Sequence, residues 1–362
     1  MHLDTGPPDV ARAGSTMPER DLPHPLAGTI PADPSAPAAL VTIVIPTKDR
    51  PDLIRRSVAT ALAQEGVAIE VVVIDDGSAF PAADAIAPEP RVRVLRNETS
   101  QGVARARNRG IEAATTEWVA FLDDDDLWAP DKLARQLAAT VEGGYAWSHT
   151  GTLRLTEALA VDELYAPAQG ETSLAMLISA NRVYTPSTVL ASTTALREAG
   201  GFDPSLSIMA DWELWLRLAS KHPAGAVQEP LVGYVVHERS MHRQNTKAHL
   251  RELRQIKRKH RAAGPVRSPG AWRWIASIRW KTGRRISALP IAAVSAALYL
   301  RQPWFGPDGL VTRVRRRLRR HLAGLHAGPQ LAPPWVARWT LSSAAAEPAA
   351  PTAAQPAPAT AD

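Results

Sequence analysis

Residues Trp118 to Leu133 read WVAFLDDDDLWAPDKL. The apolar run Trp118, Val119, Ala120, Phe121, Leu122 has the length and composition of a buried strand, and it stops at four consecutive carboxylates, Asp123, Asp124, Asp125 and Asp126. Two adjacent carboxylates about 4 Å apart repel by roughly 4 kcal/mol at an effective dielectric near 20, so a compensating positive group is expected at this strand end. Capping accounts for one or two of the acids: Asp126 or a neighbour suits the cap of a helix beginning near Pro130, and Asp131 suits its first turn. For the whole run, a solvated loop and a metal or cationic ligand both remain open until the rest of the chain is read.

Upstream, the same pattern repeats. Val41 to Pro46 (VTIVIP) is a β-branched run followed by TKDRPDLIRRSVATALAQ, in which Leu53, Ile54, Val58, Ala61 and Leu62 recur at helical spacing. Ile69 to Ile74 (IEVVVI) predicts a second buried strand, ending in Asp75, Asp76, Gly77 and Ser78. Arg91 to Leu95 alternates as a third strand, Val103 to Ala114 reads as a helix, and Glu117 to Leu122 is the fourth strand. Strands and helices alternate at spacings too long for hairpins, which predicts βαβ units around a mostly parallel sheet with ligands at the carboxyl ends of the strands. Three strands end in polar clusters, at Thr47 to Asp49, Asp75 to Ser78 and Asp123 to Asp126, and three on one sheet edge suggest a site.

The whole chain, 362 residues and 45% hydrophobic, is long enough for one large or two ordinary domains with a sizeable core. Residues 1–39 lack apolar periodicity, and 326–362 form an Ala/Pro-rich tail; both ends are expected to be disordered. The N-terminus has no apolar segment behind a basic start, so no secretory leader is expected. With no cysteine, disulfides and thiolate sites are excluded, and metal binding falls to carboxylates and histidines. The formal charge of +6 hides an asymmetry: residues 239–325 hold 22 Lys and Arg against two acids, Glu252 and Asp308, whereas residues 1–238 hold 19 against 32. These halves have different electrostatic partners, and the expected boundary lies near residue 239.

Taken in order, IVIPTKDRPDLIRRSVATALAQ, VVVIDDGS, NETSQGVARARNRGIEAA, WVAFLDDDDLWAPDKL and GGFDPSLSIMADWELWLRLA resemble the family 2 inverting glycosyltransferases of the GT-A fold. Any one segment is weak evidence; five in register over about residues 41 to 237 are strong. The implied fold is α/β, a Rossmann-like, mostly parallel sheet flanked by helices. Residues 40–143 would form the nucleotide-sugar half and 144–238 the acceptor half, with a basic, mainly helical extension over 239–325.

The resemblance also implies roles. Pro46, Thr47, Arg50, Asp76, Arg107, Asp123 and Asp124 would bind the nucleotide sugar, Thr47 as first contact to the nucleotide, Asp76 accepting from the base imide and Asp124 approaching the ribose. A plain Asx turn is the ordinary alternative for Asp75 to Ser78. Asp125, with Asp123 and His237, would hold Mg²⁺ or Mn²⁺ bridging the diphosphate, a hard ion suited to oxygen ligands. Arg105 and Arg109 fit a solvated helix face equally well. Asp211 matches the catalytic base, against an ordinary reading as an N-cap. The family usually has an acid just before it, where this chain has Ala210, and Glu213 fills the later acidic position. Trp147 to Thr150 and Ser187 to Ala191 read as strands, Ser173 to Ser179 as a short helix, and Gly200 and Gly201 as a turn.

In the basic region, 246–262 reads as a cationic helix, Trp272, Trp274 and Trp280 alternate with Arg273, Arg279 and Lys281, and Ile286 to Leu300 is nearly free of polar groups. That apolar run is shorter than the roughly 20 residues of a bilayer span and contains Pro290, so no transmembrane helix is expected. With Arg313 to Arg320 it suits an anionic membrane surface through 265–325, against the alternatives of a helical subdomain on the core or nucleic-acid binding, the last judged the weaker. The expected protein is a cell-envelope polysaccharide glycosyltransferase, cytoplasmic or peripheral on the inner face of the membrane, using a nucleotide sugar (foremost a UDP-sugar) and a glycan, lipid-linked or other hydroxyl acceptor. A sugar nucleotidyltransferase would show a glycine-rich loop after the first strand, which VIPTKDRP lacks, and a non-enzymatic nucleotide or nucleic-acid binder led by the basic half is the third alternative.

Overall fold

The computed structural model describes residues 40–167, 170–237, 246–263 and 332–341, with isolated positions between 276 and 297. The expectations for residues 1–39, for most of 265–325 with its tryptophans and arginine run, and for 343–362 concern residues outside those described.

Strand β1 (Leu40–Thr47), α1 (Pro51–Leu62), β2 (Ala68–Asp75), β3 (Val92–Arg96), α3 (Val103–Ala113) and β4 (Trp118–Phe121) follow the predicted alternation, with one helical turn, α2 (Ala82–Ala85), between β2 and β3. The later elements are β5 (Leu127–Trp128), α4 (Lys132–Glu142), β6 (Trp147–Leu155), β7 (Val161–Tyr165), α5 (Leu174–Ser179), β8 (Val189–Ser192), α6 (Thr193–Glu198), α7 (Ala210–Lys221), β9 (Gly225–Val235) and α8 (Thr246–Lys259). The nine described strands form one sheet in the order β3-β2-β1-β4-β8-β6-β9-β5, with β7 on β6. β1 to β4 run parallel. β8 runs against both β4 and β6, and β9 is parallel to β6, so six strands share one direction. The fold class is as expected: a mostly parallel central sheet between helices.

Alternation along β1 divides the core. Val41, Ile43 and Ile45 face α1 (Ile54, Val58, Ala61) and α4 (Leu133, Leu137), while Val44 faces the layer holding α3 and α7. Helix α3 crosses β1 closely because Gly110 sits over Val44, where a Cβ would collide with the valine methyls. The parallel strands therefore end together, Thr47 beside Asp75 and Asp75 beside Arg96, and their polar termini share one edge.

Two helices beyond residue 239 pack on the core. Helix α8 lies beyond residue 239, yet Leu253 and Ile256 are buried in the same core as α7. Burial of each such side chain contributes about 1.5–3 kcal/mol, enough to seat a helix whose other face is cationic. Within the segment read as a disordered tail, Pro334–Leu341 is a helix whose Val336 is buried against Leu127, Leu155 and Val235. Trp335 and Trp339 pack there too, supplying the apolar area that the Ala/Pro composition around them lacks.

Candidate active site

The strand ends open onto a cleft of about 370 Å³ lined by Thr47, Arg50, Asp76, Arg107, Asp123, Asp124, Asp125, Tyr184, Tyr234 and Asp211, among others. At the end of β1 the chain turns through Asp49 at a φ of 54°, a left-handed conformation that Asp tolerates better than most residues. Pro51 then starts α1, and Arg50 occupies the N-cap position without capping through its side chain. Its guanidinium instead supplies the positive charge expected at the acidic run: Nη1 donates to Asp124 Oδ1 at 2.9 Å and to Asp125 Oδ2 at 3.1 Å. The Thr47 hydroxyl donates to Asp124 Oδ2 at 2.7 Å.

The four aspartates have four environments. Asp123 receives Arg107 Nη2 at 2.5 Å, and its backbone N–H donates to the Ser187 hydroxyl at 3.0 Å. Asp124 is buried; burial first, and the charge of Asp125 second, push its carboxyl above the usual range, against Arg50 and Thr47. Asp125 is held low: burial opposes ionisation, but the hydrogen bond with His237 and the charge of Arg50 outweigh it. Asp126 is fully buried and accepts from the Ser187 hydroxyl at 2.5 Å and Thr185 at 3.2 Å, and burial, then Asp125 and Asp123, raise its carboxyl well above the carboxylate range. Asp126 is thus not a helix cap. Helix α4 starts later than Pro130, at Lys132, with Asp131 at the N-cap position, and Asp126 serves as a buried link to the loop before β8.

Asp76 and Asp75 also separate. Asp75 is buried and accepts from the N–H groups of Ser78 and Ala82 and from Arg96, which ties the strand end to its own turn. Asp76 lines the cleft, but Asn97 Nδ2 and Gln101 N donate to Oδ1, and Ser100 Oγ and Gly102 N to Oδ2, at 2.7–2.9 Å. These four donors fill its lone pairs. Burial opposes its ionisation, but the hydrogen bonds hold the carboxyl below the usual range. Gly77 adopts a φ of 72° here, and a Cβ would lie 2.7 Å from Ser100 N. On α3, Arg107 is buried, Arg109 is half-buried against Asn97, and Arg105 is exposed, as the solvated-face reading has it.

Asp211 is the second residue of α7 rather than its N-cap, which is Met209, and it lines the cleft across from the acidic run. Its Oδ1 accepts from Trp212 N at 2.7 Å. His237, two residues past β9, brings Nε2 within 2.8 Å of Asp125 Oδ2, across 112 positions of sequence. Among the described residues no three His, Cys, Asp or Glu side chains converge to hold a metal unaided. Asp125 and His237 nevertheless fit a Mg²⁺ or Mn²⁺ of the kind completed by substrate phosphates and water, because such ions take only one or two protein carboxylates. Thr185, Ser187, Tyr184 and Tyr234 were missed as site residues. The polar cluster Thr185-Pro186-Ser187-Thr188 ahead of a buried strand was the available signal for the first two; isolated tyrosines carry none.

Residues 42–152 match the family described as Glycosyl transferase family 2. Among relatives, the succinoglycan biosynthesis protein ExoO of Rhizobium meliloti is 48% identical over 99 residues, 27% of this chain and 28% of that protein. The putative teichuronic acid biosynthesis glycosyltransferase TuaG of Bacillus subtilis is 35% identical over 116 residues, 31% of this chain and 46% of that one. The matches thus span less than half the length of these relatives. Among solved structures, the mannosyltransferase PcManGT of Pyrobaculum calidifontis, in complex with GDP-Man and Mn²⁺, superposes with a TM-score of 0.50 at 19% identity over 86% of each chain, a likeness of fold.

Proposed function

We propose that this chain, whose residues 42–152 belong to glycosyl transferase family 2, moves a sugar from a nucleoside-diphosphate donor to an acceptor hydroxyl with inversion, Asp211 acting as general base. The observation that carries the reading is the convergence of Thr47, Arg50, Arg107, Asp123, Asp124 and Asp125 with Asp211 on one cleft. Thr47 and Asp124 would take the ribose end, and Arg107, Arg50 and Pro46 would frame the donor. Asp76 would meet the base edge once one of its donors yields, and the Ser100 hydroxyl, which can turn about its Cβ–Oγ bond, would be that one. Asp125 and His237, with Asp123 in support, would hold a divalent cation, which when bound neutralises charge on the departing diphosphate.

Asp211 accepts the proton of the acceptor hydroxyl as that oxygen attacks the anomeric carbon from the face opposite the diphosphate. One displacement inverts the centre and needs no covalent nucleophile. A UDP-sugar is the donor proposed, with a glycan or lipid-linked acceptor. Among the described residues no helix is long and apolar enough to cross a membrane. A peripheral site on an anionic membrane surface is proposed, supported by the exposed row Arg251, Arg254, Arg258 and Arg261 on and just after α8 and by the basic composition of 265–325.

The test is release of nucleoside diphosphate from UDP-, GDP- and dTDP-sugars with Mn²⁺ and with chelator, alongside donor-induced shifts in melting temperature. Asp211→Asn is expected to keep the donor-induced shift and lose turnover by about 10²- to 10⁴-fold. Retention of most turnover would move the base elsewhere, and a protein stabilised by none of the donors would sink the reading.

A further inference from the structure

In the strongly basic stretch 239–325, Glu252 is one of only two acids, and it is fully buried. It projects from α8 onto the segment that leads into α7. Oε1 accepts from Ser207 N at 2.9 Å and Ser207 Oγ at 2.7 Å, while Oε2 accepts from Ile208 N and Met209 N, each at 2.9 Å. Three successive backbone N–H groups thus converge on one carboxylate from a helix more than 40 positions away in sequence. Burial opposes its ionisation, and the hydrogen bonds from Ser207, Ile208 and Met209 overcome it.

This segment belongs to the site. Ser207, Ile208, Ala210 and Asp211 all line the cleft. Met209 stands at the N-cap of α7 and makes no side-chain cap, so its own N–H and those of Ser207 and Ile208 just before it are met by Glu252 instead. The resemblance usually places an acid just before the base, and here that position is Ala210; besides Asp211 and Glu213 in its own first turn, this end of α7 receives a third carboxylate, Glu252, from α8. A negative charge at a helix N-terminus is also favoured by the helix dipole. Farther along, Lys259 and His260 reach back to Glu213 at 2.8 and 3.1 Å, so α8 grips α7 on both sides of Asp211.

We propose that Glu252 is a positioning residue for Asp211: its carboxylate clamps the backbone of Ser207 to Met209 and thereby sets where the base points into the cleft. The inference rests on the reading of Asp211 as the base. The clamp itself needs no substrate to be seen, which keeps the two separable. A misplacement of about 1 Å in a reacting group can cost on the order of 10²-fold in rate, so a small relaxation here is enough to matter.

The experiment is amide hydrogen exchange on the full-length protein, followed by kinetics on whichever of the UDP-, GDP- or dTDP-sugars releases nucleoside diphosphate with Mn²⁺. In the wild type, the Ile208 and Met209 amides are expected to exchange slowly; fast exchange there overturns the clamp without any variant. Glu252→Gln presents one acceptor oxygen in place of two, and exchange across 207–211 should accelerate while the strands keep their protection. Its kcat should fall by about 10- to 100-fold with KM for the donor within about twofold. Glu252→Asp keeps the charge but is one methylene shorter, and is expected to lie between the two; it also serves if the glutamine variant does not fold. Faster exchange with unchanged kcat would reduce Glu252 to a structural tether and overturn the proposal. Full turnover in Asp211→Asn, with slow exchange intact, would instead reject the base assignment and leave the clamp standing.

Discussion

Glutamate 213 carries enough electrostatic stabilisation to be read out by pH. Its side chain is fully buried, and it accepts from Arg217 Nε and Nη2 on its own helix at 2.6–3.0 Å and from His260 Nε2 at 3.1 Å, with Lys259 Nζ at 2.8 Å. Lys259 is shared with Asp203 at 3.0 Å, the other charged group facing this cluster. Burial opposes ionisation, but His260, Arg217 and Lys259 bring the carboxyl down to about 2 from 4.5. A depressed carboxylate stabilises the fold above its unfolded pKa, and the gain is lost as pH falls towards the folded one. The shift corresponds to about 3 kcal/mol at neutral pH, of which about 1 is gone at pH 4 and about 2 at pH 3. Glu213→Gln cannot titrate. Urea denaturation at pH 7, 4 and 3 should therefore show the variant less stable at pH 7 by about 3 kcal/mol and the gap closing towards acid. A gap that stays constant from pH 7 to 3 would refute the ionic account of the α7–α8 contact, and a gap that widens would reverse its sign.

Arg50→Met removes the guanidinium bridging Asp124 and Asp125 and should lower stability by about 2 kcal/mol in chelator, with part recovered by Mn²⁺ plus nucleotide, measured by urea midpoints. An unchanged midpoint would show that another group neutralises the run. Lys132 is fully buried, its Nζ has no hydrogen-bond partner among the described residues and lies 3.9 Å from the centre of the Trp128 ring, and burial pushes its pKa well down. Lys132→Met keeps the length and packing without the amine, so stability should stay within about 1 kcal/mol or rise; a loss above about 2 kcal/mol would mean a charged lysine held by the ring.

Much of the fold between β1 and β4 was legible because its signals are local. An unbroken apolar run such as IEVVVI records a strand buried on both faces, and helices with period-3.6 stripes record which side meets the core. The polar strand ends were legible for the same reason, since a parallel sheet delivers them to one edge whatever the helices do. The helix at α8 was legible, but neither charge counting nor the Ala/Pro composition shows docking, because both are averages: a few buried residues, Leu253, Ile256 and Glu252 in α8 and Val336 in Pro334–Leu341, decide it against the bulk of their segments.

The sequence by itself determined the βαβ order, the strand ends that carry Thr47, Asp76 and Asp123 to Asp126, and the position of Asp211. Only the tertiary structure decided how four adjacent aspartates divide: Asp123 to Arg107, Asp124 to Thr47 and Arg50, Asp125 to Arg50 and His237, and Asp126 into the interior on Ser187. Neighbours in sequence share composition and local geometry, but each carboxylate is assigned by the partner that reaches it from elsewhere in the chain, and those partners meet only once the sheet has formed.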